Sequence, residues 1–114
     1  YRGVGGQFVV PENCTLIAMH GVIANNSSTN NPTVSIYHGT VTEGTGDTTL
    51  ALAAGSGGAA LTVTTGTLRV PFKFNDTFNV DLSAGDIVVP TISHADSGGT
   101  RSFAGSLTLK FITR

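Results

Sequence analysis

Apolar and polar side chains alternate with a period of two along most of this chain, and almost nowhere do they recur at the three-and-four spacing of a helix. In TLRVPFKFNDTFNVDLS, Leu68, Val70, Phe72 and Phe74 share one parity, and Arg69, Pro71 and Lys73 share the other. Past Asn75 and Asp76, the residues Phe78, Val80 and Leu82 again alternate with Thr77, Asn79 and Asp81. Successive side chains of a strand point to opposite faces, so this stretch reads as a hairpin with one wet face, turning at Asn75 and Asp76. RSFAGSLTLKFITR repeats the pattern, with Phe103, Leu107, Leu109 and Phe111 inward and Ser106, Thr108 and Lys110 outward. Gly105 takes an inward position, where a missing side chain signals close backbone approach or a bulge.

Two segments are apolar on both parities. CTLIAMHGVIA carries Leu16 and Val22 on one and Ile17, Met19 and Ile23 on the other, and DIVVPTI behaves alike. Strands buried on both faces in so short a chain imply cover from a second subunit. That places Ile17, Met19, His20, Ile23, Val88 and Pro90 at a subunit interface. Shorter strands are expected at QFVV, TVSIYHG and AALTVTT, joined by turn-rich connectors such as NNSSTNNP and ADSGGT. TLALAAGSGGAAL reads as a mobile loop with a short strand after it, its Ala-rich half able to form a helical turn. About eight strands and no crossover helix define an all-β fold, an antiparallel two-sheet β-sandwich with jelly-roll topology. Residues 1–114 form one such domain by length; because the chain opens on Tyr1, it reads as a fragment or C-terminal module of a longer protein.

Composition narrows the function classes. Charged residues are 11% of the chain against about 25% in an average soluble domain, and hydroxyl and amide side chains take their place. Six Lys and Arg against seven Asp and Glu, with no run of like charge, leave no footprint for binding nucleic acid. No apolar run approaches the ~20 residues that span a bilayer, so no membrane insertion is expected. Cys14 is the single cysteine, which excludes a disulfide within the chain and tilts the source away from small secreted domains.

The last third, VDLSAGDIVVP followed by ADSGGT and SFAGSLTLKF, resembles the closing strands of trimeric jelly rolls. These include tumour-necrosis-factor-like and complement-type globular heads and the head domains of bacteriophage tail fibres and related virion proteins. The positions that carry the likeness are Leu82, Gly85, Asp86, Phe103 and Gly105; VPENCTLIAMHGVIANNSS is similar to phage fibre modules, and residues 40–65 have no counterpart. The resemblance implies a homotrimer in a virion, most simply the tip of a phage tail fibre that binds a bacterial surface glycan or protein. A capsid-decorating protein, whose partners would be other virion proteins, and a soluble lectin-like or ligand domain of cellular origin are the alternatives.

The residues themselves favour structure over chemistry. Asp86 follows SAG at a corner, where its carboxylate can accept hydrogen bonds from turn amides. His94 and Asp96 border a Gly-rich tip and could face an ion on a symmetry axis, but a single pair is no metal signature, so no metal and no cofactor is expected. His20 and His38 share parity with apolar neighbours, which reads as buried or interface histidine; protonation would loosen such an interface. Nearly all the acidic residues fall at predicted turns, none shows pairing, and no G-x-S-x-G elbow is present, so an enzyme is not expected. Loop and planar side chains, namely Tyr37, Asn26, His94, Asp96 and Arg101, are the expected receptor contacts.

Overall fold

The computed structural model describes residues 6–25, 32–44, 49–63, 70–93 and 103–114, without the side chains of residues 25, 103 and 104. These residues form eight strands and no helix: β1 (Phe8–Val9), β2 (Cys14–Asn25), β3 (Thr33–Gly39), β4 (Ala51–Leu52), β5 (Leu61–Thr62), β6 (Phe72–Leu82), β7 (Ile87–Ser93) and β8 (Phe103–Thr113). Every pairing is antiparallel. One sheet runs β1-β7-β3-β4 with β5 also on β3; the other is β6-β2-β8. The all-β, two-sheet sandwich of the sequence reading is therefore the architecture.

The core lies between the sheets. Leu16, Met19, Ile23 and Leu82 from the three-stranded sheet meet Val34, Ile36 and Val88 from the five-stranded one, joined by Ala53 and Val63 from beside β4 and β5. Leu16, Met19, Ile36 and Leu82 each retain 1% of their accessible surface. At roughly 1.5–3 kcal/mol for each large side chain removed from water, this layer holds the sheets together.

The anticipated hairpin at Asn75 and Asp76 does not form: β6 passes straight through both residues as one strand. Phe74, Phe78 and Val80 pack against the core, and Asp76 and Leu82 are buried on the same side. Val70 and Phe72, on the N-terminal side of Phe74, are exposed.

The two-sided apolar pattern of β2 has a different cause from the one inferred. Its register shifts between Leu16 and Ala18 against both β6 and β8, an irregularity that moves the inward parity from even to odd numbers. Cys14 and Leu16 point inward before the shift, and Met19 and Ile23 after it. Met19 and Ile23, at 1% and 5% exposure, are thus sealed by their own chain, and the reason for assigning them to a subunit interface falls away. His20, expected in a buried or interface position, is exposed on the outer face, while Ile17 is half-buried.

β7 is buried on both faces within the chain, with Val88 at 0% and Val89 at 3%. Val88 and Pro90 fall on the core-facing register with His38 and Ile36, so they too owe their burial to this chain. Proline fits a strand only where its nitrogen faces away from a ladder partner. β1 reaches β7 only at Ile87 and Val88, two residues short of Pro90.

The low-complexity stretch after Thr49 contains β4 where a loop able to form a helical turn was anticipated, and β5 lies in the short strand expected after it. Between them Gly55 and Gly58 close a tight turn through reciprocal backbone bonds. That turn crosses to the other sheet, where Gly55 bridges Phe78 and the Ser56 amide donates to the Thr77 carbonyl at 3.0 Å.

Candidate functional site

The corner between β6 and β7 has the acid-and-glycine composition of a catalytic loop. Its bonds are those of a turn. The Asp86 carboxylate accepts the Ser83 amide at 2.9 Å and the Thr40 hydroxyl at 2.7 Å, and the Asp86 amide donates to the Ser83 carbonyl at 2.9 Å. Gly85 has φ of +93°, a conformation that glycine adopts without steric cost. Asn13 Oδ1 accepts the Ala84 amide at 2.9 Å and fastens the corner to the start of β2.

Arg114 completes this end. Its guanidinium donates to the carbonyls of Leu82 at 2.7 Å and Cys14 at 3.2 Å, and Nε lies 3.9 Å from Asp81 Oδ1. Asp81, outward as its parity requires, also accepts the Thr15 hydroxyl at 2.7 Å. Burial pushes the Cys14 thiol above its usual pKa, against a lowering influence from Arg114.

Asp76 is a buried acid that the sequence reading took for a turn residue. It points into the sandwich at 2% exposure, and Oδ1 accepts from the Thr77 amide at 2.9 Å, the Gly57 amide at 3.1 Å and the Ser56 hydroxyl. The carboxylate clamps the GSGG turn of one sheet onto β6 of the other. It was missed because its partners come from a turn about twenty residues away in sequence.

A cleft of about 510 Å³ opens between the sheets on the side where β1 and β8 form the edges. Phe8, Phe74, Ile92, Leu107, Leu109 and Phe111 make it chiefly apolar. Phe8 meets Phe111 edge to face, with ring centroids 5.8 Å apart. Gly105 also lines it, and a methyl group there would run into the Val22 carbonyl oxygen, which is the close backbone approach its parity signalled. Phe8 is 37% exposed here, and Val9, on the opposite parity, is 60% exposed on the outer face.

Of the expected receptor contacts, Tyr37 is half-buried on the outer register of the five-stranded sheet, between Leu52 and Val89. Asn26, His94, Asp96 and Arg101 lie outside the described residues. His38 is half-buried opposite Val88, in line with its parity. Among the described residues, no three His, Cys, Asp or Glu side chains gather as a metal site would require. No family model, no curated protein and no solved structure matches the chain.

Proposed function

We propose that the chain is a structural and recognition module of a virion, a jelly-roll subunit of a homotrimer such as the tip of a phage tail fibre, which binds a bacterial surface receptor. The order of the strands supports the topology. The connections β1–β2, β2–β3, β5–β6, β6–β7 and β7–β8 each cross from one sheet to the other, and only β3 to β5 stay together. The order β1-β7-β3-β5 and the β2–β6 pair fit six lanes of a jelly roll; among the described residues its two lanes beyond β6 are empty, and β8 is an added strand on the free side of β2.

The observation that carries the reading is the apolar cleft at the β1 and β8 edges; Leu52, Val70, Phe72 and Ile112 are exposed singly elsewhere. The cleft and Phe8 lie where β1 and β8 end their sheets, whereas the outer face of the three-stranded sheet is mainly polar. Such a subunit turns its apolar side toward its copies and leaves its polar side for a receptor. The assembly contact is thereby moved from the β2 stripe to the β1 and β8 edges. β8 pairs only with β2 among the described residues, and an open edge is a ready site for association.

Sedimentation equilibrium at micromolar concentration tests the assembly. The expected species has three times the chain mass, and Phe8→Asp shifts it to monomer; a monomeric parent protein would overturn the assembly. Recognition is tested with fluorescently labelled protein on a panel of bacterial cells, where saturable adsorption to some strains is expected and uniform absence refutes it.

A further inference from the structure

We propose that the outer face of the three-stranded sheet binds an anionic polysaccharide along a diagonal of Lys73, His20 and Lys110. The inference rests on the recognition reading and names its ligand class and surface. The register of β2 with its two neighbours fixes the geometry. Val22 lies between Lys73 and Ser106, His20 between Asn75 and Thr108, and Ala18 between Thr77 and Lys110. The seven outward polar side chains are exposed, and Val22 and Ala18 are half-buried.

Lys73, His20 and Lys110 therefore stand one strand and two residues apart in turn. With strands ~4.8 Å apart and a rise of ~3.4 Å per residue, each step is about 8 Å and the diagonal about 16 Å. Neither lysine has an ion pair among the described residues, where Arg114 and Asp81 make the pair. The described carboxylates leave this area uncompensated: Asp76 and Asp86 are buried in fold-making bonds, Asp81 sits at the far end beside Arg114, Glu12 precedes β2 at that same end, and Glu43 follows β3 of the other sheet. A chain of net charge −1 thus presents a positive sheet face.

Charge complementarity selects an anionic partner. The neighbouring amide and hydroxyls of Asn75, Thr77, Ser106 and Thr108 match sugar hydroxyls as donors and acceptors. A flat three-stranded face suits an extended chain better than a compact small molecule, which needs a concave site. Carboxylate and phosphate on the polysaccharide would satisfy the lysines alike.

Biolayer interferometry on the intact protein tests this with polygalacturonate, a phosphorylated mannan, neutral dextran and single-stranded DNA. Binding to at least one of the two anionic polysaccharides is expected, weakening as salt rises from about 50 to 200 mM. The double variant Lys73→Gln/Lys110→Gln should bind about tenfold more weakly, the loss expected for two exposed ion pairs. Lys73→Arg/Lys110→Arg should restore binding, and His20→Gln should weaken it. Equal binding of dextran, preference for DNA, or an undiminished double variant overturns the proposal. If the double variant still adsorbs to cells like the parent, this face is wrong while the recognition reading stands; if the parent adsorbs to none, that reading itself has failed.

Discussion

Asp76→Ala probes the clamp between the two sheets. The substitution removes the acceptor shared by the Thr77 and Gly57 amides and the Ser56 hydroxyl. Hydrogen bonds to a charged group contribute about 1.5–3 kcal/mol each, so the gross loss is bounded near 9 kcal/mol. Two terms reduce it. Ser56 and Gly57 are exposed and can turn to water, and deleting a buried charge recovers its desolvation cost. The uncompensated remainder is the Thr77 amide plus the freed GSGG turn, for a net loss of about 3 kcal/mol. Against a typical domain stability of ~5–15 kcal/mol this is large. In urea, where small proteins show m of ~1–3 kcal/mol/M, the midpoint should fall by roughly 1–3 M. Asp76→Asn keeps an acceptor at Oδ1 without the charge and should lose about half as much. Hydrogen exchange at the Gly57 and Thr77 amides should quicken in both. A loss under about 1 kcal/mol in the alanine variant, or a gain, would refute the clamp.

Gly105→Ala places a methyl against the Val22 carbonyl and should cost about 1–3 kcal/mol by overpacking, read from a urea melt. Asp86→Ala strips the corner of its Ser83 and Thr40 bonds and should cost about 2 kcal/mol, with unchanged far-ultraviolet circular dichroism at 25 °C. For Cys14 the folded pKa is raised, so the unfolded thiol ionises first; its stabilisation is complete below the unfolded pKa of about 8.5 and declines as pH climbs toward the folded value. Unfolding free energies of the parent and Cys14→Ala from pH 7 to 10 should therefore converge as pH rises, and a constant gap would contradict this.

Parity made the long strands legible: CTLIAMHGVIA, TVSIYHG, DIVVPTI and the run from Phe103 all fold as strands. The same parity argues against a hairpin at Asn75 and Asp76. A two-residue turn would set Phe74 opposite Thr77, sending Phe74 and Phe78 to opposite faces. A continuous strand keeps Phe72, Phe74, Phe78, Val80 and Leu82 on one side, as a three-residue loop over 75–77 also would, and local turn propensity decided the reading for a turn. In β2, the inward set changes from even to odd around Ile17, which a scan for apolar residues cannot tell from burial on both faces. The Asp76 clamp and the lysine diagonal both need distant segments brought together, so neither leaves a local mark. The corner at Asp86 was legible because its main acceptor bond spans three residues.

The last strand closes against the second: β8 is hydrogen-bonded along its length to β2, while β7 threads between β1 and β3. As this stretch leaves a ribosome, the five-stranded sheet can close only once β7 is out and the three-stranded sheet only once β8 is. Translation therefore holds the apolar interior open until β7 and β8 have emerged, so that chaperone demand falls on the earlier strands while they wait.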